Sequence, residues 1–577
     1  MIHLYPYSAK QTFHYVVPAL IATSCSLHLL RTYDFKNKLA NILLKFKPIK
    51  NKLDKEQQKY LTDFNQKIND KWAPYGTPFN QIPEEGLPYE QCVAIINKYY
   101  DLTVQNITDT QFSGTIYTPN TNPNMMYFDQ LTNSFCKDEQ LLDLYSKIFV
   151  KSYLWNSLHD NEFPVTTFIN YQIVNMVGEL FGGKKEEIMG ITTTGGTQSI
   201  MNAARSYVNY GVHEKNISCE DCVIIAPDTI HASLMKAADA YHFKLVLVQT
   251  NNGHIDKNEL IKQINKHDPN IVALFCSLPS YPYGTKDDYK YFAKIAKHHH
   301  IGLHVDCCLG GFISNFISSY IDPNILSTDG VTSISVDIHK NGLAPKGSSV
   351  LICKNINQAQ NLMYYSIYTT EDWKGGLYGT PKDEGSQQIV TMFAAFITLL
   401  FNGKATYEIN AKKIYKTTQD IIYYINFEEK NYVDIITQDP LNVLTIKLNN
   451  QHYKYGSTYK LADLMKNHGF VFNTLTDDII HFCITSRFAC NPNNTLKFNI
   501  AFHKCLDEIQ QMNKNNVDFD GSARLYCSIE TAINPVKNNM KWLAYWEQSL
   551  FGRMVVKNII KSHFMAQLNP NYKHTNQ

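Results

Sequence analysis

The stretch that decides the fold of this chain is Ile301-Gly302-Leu303-His304-Val305-Asp306, followed about thirty residues later by Asp337-Ile338-His339-Lys340. The first segment is an apolar run that ends in a carboxylate, which is typical of a buried strand whose last residue reaches a site at the edge of a sheet. The second segment places a lysine directly after a histidine. Together they indicate a buried site that holds an amine and a carboxylate.

An amine and a carboxylate in these positions suit pyridoxal-phosphate (PLP) chemistry. An aspartate that faces the pyridine nitrogen keeps that nitrogen protonated, and the ring then accepts the electrons of a carbanion. A lysine forms the Schiff base with the cofactor, and the histidine before it can lie against the ring. We therefore predict that Asp306, His339 and Lys340 bind PLP and take part in catalysis.

Composition places the chain among large globular proteins. Its 577 residues are 44% hydrophobic and carry a net charge of only +2, which provides for several domains and argues against a nucleic-acid partner. The 13 cysteines are interpreted as reduced thiols that face the cytosol. Residues 298–300 are three consecutive histidines, but they cannot all face one ion from a helix, so we predict no metal site.

The N-terminal region predicts a membrane anchor. Residues 11–30 contain no formally charged side chain, and twenty residues is about the length that a helix needs to cross a bilayer. Residues 31–60 hold nine lysines and arginines against Asp34, Asp54 and Glu56, and such a flank favours the cytosolic side of a membrane. An amphipathic helix on the membrane or packed on the fold is the alternative to a single span.

The remaining sequence predicts an α/β protein. Short apolar runs alternate with helical segments between about residues 155 and 354, which indicates a mainly parallel sheet covered on both faces. Beyond about residue 400 the pattern indicates a smaller α+β unit. We predict a membrane anchor with its basic flank at 1–60, a helical segment at 61–154, a large PLP-binding domain at 155–400, a small domain at 401–555 and a polar tail at 556–577.

Three further positions point to anion and cofactor binding. The turn Thr194-Gly195-Gly196-Thr197 precedes a helical run, and glycines at a helix start let backbone N–H groups approach a phosphate. His231 follows an apolar strand, where its ring could stack on the pyridine. Lys346 lies six residues after Lys340, and two such close lysines favour an anion between them, which suggests a phosphorylated substrate.

These motifs resemble those of the sphingosine-1-phosphate lyase family, a relative of the PLP-dependent glutamate and aromatic amino-acid decarboxylases. The resemblance rests on Gly195-Gly196-Thr197-Gln198-Ser199, on residues 304–312 and on residues 337–349, where Ala344-Pro345-Lys346-Gly347-Ser348-Ser349 distinguishes the lyases from the decarboxylases. It implies the fold of type I PLP-dependent transferases, with a seven-stranded sheet in the large domain. It also implies an obligate homodimer with shared active sites, anchored in the endoplasmic reticulum membrane by a single span.

The resemblance also implies a set of side chains for the substrate phosphate, and it leaves several departures to explain. The implied set is Tyr117, Asn156, His159, Lys346 and Ser386. Gln198, Ser157, Tyr283 and Asn341 replace the glutamate, proline, histidine and tyrosine that the family typically shows, and Gln387 replaces an arginine. These departures concern the substrate more than the cofactor.

The reaction that the resemblance implies is cleavage of the C2–C3 bond of sphingosine 1-phosphate and related sphingoid base phosphates, giving a long-chain fatty aldehyde and phosphoethanolamine. The base for the C3 hydroxyl is left open among His339, Lys340 and the substrate phosphate. One alternative is a PLP-dependent amino-acid decarboxylase, which would need neither Lys346 nor an anchor. The other is a catalytically silent PLP-binding membrane homologue, suggested by Gln198 and Gln387.

Overall fold

The computed structural model describes residues 138–515 apart from short gaps, together with residues 111–112, 126–129 and 134–137 and a few isolated earlier positions. The gaps are at 160–162, 321–323, 358–359, 371–372, 377, 387–388 and 450–456. Nearly all described residues belong to one compact unit, Val104–Thr531. The predicted anchor, Tyr117, Gln387 and the predicted tail lie outside the described residues.

The centre of this unit is a seven-stranded sheet. Its strands in chain order are β1 (Met189–Thr193), β2 (Val223–Pro227), β3 (Lys244–Val248), β4 (Ile271–Ser277), β5 (Gly302–Asp306), β6 (Ser333–Asp337) and β7 (Ser349–Cys353). Their order across the sheet is β1-β7-β6-β5-β4-β2-β3, and all pairs are parallel except those that β7 makes with β6 and β1. The predicted mainly parallel, seven-stranded sheet is thereby confirmed.

Burial explains why the strands could be found in the sequence. Every residue of β2, β4, β5, β6 and β7 is buried, as expected for strands covered on both faces. Such strands appear as continuous apolar runs. Strand β1 is not predicted by such a run, because Gly190 and two threonines interrupt its apolar character.

Helices cover the sheet and the loops between its strands. They are α1 (Asp138–Ser152), α2 (Pro164–Leu180), α3 (Gly196–Lys215), α4 (Ser233–Tyr241), α5 (Lys257–His267), α6 (Tyr289–His298) and the short α7 (Gly311–Ser314). Side-chain caps fix two of the starts: Asp256 accepts from the N–H groups of Asn258 and Glu259, and Asp288 accepts from Tyr291. Single turns of 3-10 helix span Cys219–Asp221 and Leu362–Ser366.

A long helix, α8 (Val390–Tyr424), leads away from the large sheet and continues into a π-helical turn at Ile425–Glu429. Gly403 has a φ of 62° and interrupts the helical backbone there. The predicted boundary at residues 400 and 401 lies within this helix, just before the kink at Gly403. That boundary stays a prediction.

The C-terminal part of the unit is a smaller α+β layer, as predicted. Its four-stranded sheet has the order β8-β9-β11-β10, with β8 (Val433–Ile435), β9 (Val443–Leu448), β10 (Asn473–Thr474) and β11 (Ile480–Cys483). All its pairs are antiparallel. The helices are α9 (Thr458–Asn467), α10 (Ser486–Ala489) and α11 (Pro492–Lys514). Phe498 of α11 is fully buried among other phenylalanine rings.

Four two-stranded pairings complete the described elements. Gln111–Phe112 pairs in parallel with Phe470–Val471, and the other three are antiparallel. The antiparallel pairs are Met126–Asp129 with Ser134–Lys137, Thr250–Asn251 with His254–Ile255, and Tyr368–Thr370 with Tyr378–Thr380. Within the described part of the chain, no helix is both long and apolar enough to cross a membrane.

Candidate active site

The site forms at one edge of the large sheet, where several strands end. Parallel strands bring their carboxyl ends to the same edge, and ligands of open α/β sheets bind there. The edge receives Asp306 from β5, Asp337 to Lys340 from β6 and the Thr194–Thr197 turn from β1. Because β7 runs antiparallel between β6 and β1, those two strands still point the same way.

Lys340 forms an ion pair with Asp337 at the end of β6. Its Nζ lies 2.8 Å from Asp337 Oδ2, and the Nε2 of His339 lies 3.6 Å from the same oxygen. Burial alone would raise the pKa of Asp337, but the positive charge of Lys340 and then that of His339 outweigh it and hold that pKa at about 2. This carboxylate therefore stays charged and holds the lysine in place.

The hydrogen bonds of His339 show which of its two ring nitrogens carries the proton. Its Nδ1 lies 2.8 Å from the carbonyl oxygen of Ser348, and a carbonyl can only accept, so Nδ1–H is the donor. Burial lowers the pKa of His339, with the charge of Asp337 acting in the opposite direction. The ring is therefore neutral near pH 7, with Nε2 as its basic nitrogen.

Asp306 is held by the protein on one oxygen. Its Oδ1 accepts from the N–H of Cys308 at 3.0 Å and from the hydroxyl of Ser335 at 3.1 Å. The side chain is buried at the end of β5. These two bonds fix the plane of the carboxylate, which lines the main cavity of the site.

The turn between β1 and α3 packs closely against Cys308 and Asp337. A Cβ on Gly196 would lie only 2.8 Å from the sulfur of Cys308 and 3.0 Å from Asp337 Oδ1, so the close approach of this backbone requires glycine. Gln198 accepts from the N–H of Thr194 at 2.7 Å and from its hydroxyl at 3.1 Å. The glutamine that departs from the family pattern thus stabilises the turn through its carbonyl oxygen.

His231 is tied to the same turn through hydroxyl groups. Its Nδ1 lies 2.6 Å from the hydroxyl of Ser233, which donates to the hydroxyl of Thr197 at 3.0 Å. Burial lowers the pKa of His231, and the charge of Asp306 opposes this effect. An uncharged ring beside the aspartate and the turn fits the predicted stacking position.

One cavity of about 670 Å³ unites most of the predicted side chains. Its lining includes Gly196, Thr197, His231, Asp306, His339, Lys340 and Lys346. Lys346 Nζ also lies 3.4 Å from the carbonyl oxygen of His339. Burial, and then the charge of Lys340, lowers the pKa of Lys346 to about 8.

A second cavity of about 210 Å³ adjoins the first and is rich in hydroxyl groups. Ser386 lines it, and the amide of Asn156 donates to the Ser386 hydroxyl at 3.1 Å. His159 closes the same turn as Asn156 through a backbone bond of 3.2 Å, and its side chain is exposed. The structure thus places Asn156 and Ser386 together beside the main cavity, while Tyr117 lies outside the described residues.

Several residues of the site were not assigned a role from the sequence. They are the partners that hold the predicted groups (Asp337, Ser335, Cys308, Ser233) and three further lining residues (Tyr281, Asp383, Glu384). Position relative to a strand end could have identified Asp337, since it ends an apolar run as Asp306 does. No local signal marks Asp383 or Glu384, because their loop reaches the site only through the tertiary fold.

The donor set fits pyridoxal phosphate. At Gly195 a Cβ would meet only His339 Cε1 at 3.7 Å, so the turn at the start of α3 leaves room for a phosphate there. The neutral His231 suits a ring face, and Asp306 suits a pyridinium nitrogen. Lys340 supplies the amine that would hold the cofactor. All these groups line a single cavity, whose volume lies within the usual range for cofactor sites.

Comparisons with known proteins agree with a pyridoxal-phosphate site. Residues 130–390 match the model of the pyridoxal-dependent decarboxylase conserved domain. Fold, site and this match together make the chain similar to PLP-dependent proteins of the decarboxylase-like class, and the cofactor that they indicate is pyridoxal 5'-phosphate. Among curated proteins, the chain is similar to several sphingosine-1-phosphate lyases.

Three of these relatives show the extent of the similarity. The sphingosine-1-phosphate lyase of Saccharomyces cerevisiae is 30% identical over 419 residues, which cover 70% of this chain and 65% of the yeast protein. The lyase 1 of Rattus norvegicus is 34% identical over 57% of this chain and 56% of its own length. The Drosophila melanogaster lyase is 28% identical over 81% and 80%. The chain thus spans between about half and two thirds of the yeast and rat proteins.

Solved structures show the same fold. A sphingosine-1-phosphate lyase of Burkholderia pseudomallei superposes with a TM-score of 0.65 at 24% identity, covering 77% of this chain and 96% of that one. A glutamate decarboxylase of Lactobacillus brevis gives 0.58 at 15% identity, covering 75% and 96%. Both chemistries therefore occur on this fold, and the side chains of the site have to distinguish them.

Proposed function

We propose that the protein is a PLP-dependent lyase that cleaves the C2–C3 bond of sphingosine 1-phosphate and related sphingoid base phosphates. The observation that carries this proposal is the position of Lys346, which lines the same cavity as Lys340 and has a lowered pKa. Two amines in one cavity repel each other, and an anionic group on the substrate would relieve that repulsion. The names of the curated relatives support the same reaction.

Bound cofactor supplies an electron sink for the bond that breaks. The task of Asp306 is to keep a proton on the pyridine nitrogen, and its bonds from Cys308 and Ser335 hold it ready for that task. Lys340 would hold the cofactor through its Nζ, which Asp337 keeps in place at 2.8 Å. These roles are assigned from the geometry and the family resemblance.

The substrate phosphate would be bound by Lys346, Ser386, Asn156, His159 and Tyr117. Of these, Ser386 and Asn156 are hydrogen-bonded to each other beside the hydroxyl-lined cavity. Holding the phosphate there orients the C2–C3 bond in the main cavity, so that binding energy remote from the reacting atoms assists cleavage. The aldehyde then leaves, C2 takes up a proton, and phosphoethanolamine is released.

The proton of the C3 hydroxyl needs a base within the main cavity. The neutral His339, whose Nδ1 donates to Ser348, presents a basic Nε2, but this atom also faces Asp337. The Lys340 amine, once released from the cofactor, is a second candidate, and the substrate phosphate is a third. In a complex with substrate, the base would be the group within hydrogen-bonding distance of the C3 hydroxyl.

The experiment that tests the proposal uses purified full-length protein in detergent with added PLP and sphingosine 1-phosphate. We expect a long-chain aldehyde and phosphoethanolamine in equal amounts, and none from Lys340→Ala. If the protein instead released carbon dioxide from an amino acid and made no aldehyde, it would be a decarboxylase and the lyase proposal would be wrong. A protein that binds PLP but yields neither product would be the silent homologue.

We also propose a homodimer with shared active sites. In support, α1, the turn after it and α2 expose large apolar side chains in the described unit: Phe149, Val150, Tyr153, Leu154, Phe168 and Tyr171. Leaving so many in water is unfavourable, and a second copy could cover them. Sedimentation of the wild type and of a Val150→Asp variant would test this, with a monomeric wild type as the contrary result.

For the N-terminal region we propose a single span at residues 11–30 that anchors the enzyme in the endoplasmic reticulum membrane with its catalytic domain in the cytosol. The uncharged run and its basic flank support this proposal. A substrate that resides in a bilayer gives such an anchor a purpose.

A further inference from the structure

The loop of residues 381–386 contributes side chains to both cavities of the site. Asp383 and Glu384 line the larger cavity, and Glu384 and Ser386 line the smaller one. Thr194 and Gly347 also border both. The place of this loop therefore sets how the two cavities connect.

Asp383 attaches this loop to the body of the large domain. One carboxylate oxygen pairs with the Arg205 guanidinium, and the other accepts from the hydroxyl of Tyr241 at 3.0 Å. Arg205 is itself fixed, since it donates to the carbonyl oxygen of Ser366 at 2.8 Å and to Asn202 Oδ1 at 3.0 Å. A planar guanidinium held at several points is a rigid support for a carboxylate.

The supporting residues lie away from the cofactor. Arg205 lies on α3 roughly 14 Å along the axis from Gly196, and Tyr241 is the last residue of α4, whereas His231 precedes its start. The loop is thus held by α3 from the middle of that helix and by α4 from its last residue. Loosening the loop can therefore change the cavity wall without removing a group that touches the cofactor.

We infer that Asp383 is a positioning residue: by binding Arg205 and Tyr241 it fixes Glu384 and Ser386 between the two cavities and thereby sets the affinity for the phosphorylated end of the substrate. The part that concerns the substrate rests on the proposed function. The part that concerns the loop does not.

The test combines proteolysis of the holoenzyme with steady-state kinetics. A protease that cuts after glutamate is applied, and cleavage between Glu384 and Gly385 is followed by mass spectrometry. We expect Asp383→Asn to raise the rate of this cleavage about tenfold, because a charge-assisted contact is lost, and Tyr241→Phe to raise it less. Glu179→Gln, which breaks the exposed pair with Lys404 at 2.7 Å, is the matched control and should leave the rate unchanged.

Kinetics then separate positioning from a general structural effect. Asp383→Asn should raise KM about tenfold while kcat stays within about twofold and PLP binding, followed by visible absorbance, is unaltered. Cleavage no faster than in the wild type would overturn the inference. So would a faster cleavage with unchanged KM, or a loss of PLP from Asp383→Asn. A wild type that makes no aldehyde would refute the proposed function, yet the protease result would still stand.

Discussion

At the scale of single residues, Lys346 is a cation whose charge is easily lost. Its pKa of about 8 results from burial and from the neighbouring Lys340, so a modest rise in pH neutralises it. A lysine binds a phosphate only when protonated, and a bound phosphate in turn favours its protonated form. The contribution of Lys346 to substrate binding is therefore present below pH 8 and lost above it.

We predict that KM rises as the pH increases from about 7 to about 9, and that Lys346→Arg flattens this dependence because arginine stays protonated throughout. The measurement is KM against pH for both proteins, with kcat recorded alongside. Superimposable profiles for lysine and arginine would mean that another group titrates.

Asp306 should contribute mostly to the chemical step. We predict that Asp306→Ala lowers kcat by roughly 10²- to 10⁴-fold, since the charge that stabilises the protonated pyridine is gone. Ser335→Ala removes only one of the donors to Asp306 Oδ1 and should cost about tenfold or less. Single-turnover rates measure both, and a small effect of Asp306→Ala would contradict its assigned role.

The cofactor chemistry of the site can be predicted from the sequence, whereas the residues that hold its loops in place cannot. Asp306 ends an apolar run, Lys340 follows a histidine, and the glycine turn precedes a helical run. These residue types and their spacing therefore indicate PLP. Asp383 lies between ordinary loop residues, and its meeting with Arg205 depends on how α3 and the loop pack. Contacts between distant segments leave no local pattern in a single sequence.

At the scale of secondary structure elements, strands β2 to β7 can be predicted from their own residues, whereas β1 depends on a contact with a distant segment. Strands β2 to β7 are largely apolar runs that the sequence displays. Strand β1 contains a glycine and two threonines among its five residues, so the sequence does not display it as an apolar run, although it pairs along its whole length with β7. Pairing with β7, rather than the residues of β1 themselves, makes this segment a strand.

The packing of α11 allows a prediction for the small domain. Phe498 is fully buried, with ring centroids 5.4 Å from Phe470, 5.5 Å from Phe482 and 5.6 Å from Phe502. We predict that Phe498→Ala lowers the free energy of unfolding of this domain by about 3–5 kcal/mol through the cavity it leaves. Urea unfolding measures the change.

The control for that measurement is Leu496→Ala on the same helix, where the side chain is 61% exposed and the expected loss is small. Equal midpoints for the two variants would mean that the phenylalanine cluster does not hold the domain together.

At the scale of the whole molecule, the membrane anchor can be tested apart from the enzyme. We predict that residues 1–60, fused to a soluble reporter, direct it to a membrane fraction that resists extraction with alkaline carbonate. Replacing Leu20 and Leu27 by arginine should release it, because each charge at the centre of a span costs about 3 kcal/mol. A reporter that washes off without these substitutions would favour the amphipathic alternative.

The antiparallel β7 has a further consequence for how the protein is made. Strand β1 leaves the ribosome first, but its only neighbour in the described sheet is β7, roughly 150 residues later. At 5–20 residues per second, that strand waits roughly 8 to 30 seconds with an open edge. His339, Lys340 and Lys346 lie just before β7 in the chain, so the amines and the imidazole of the main cavity also leave the ribosome late. We therefore expect the complete cavity to form only after the whole large sheet has been synthesised.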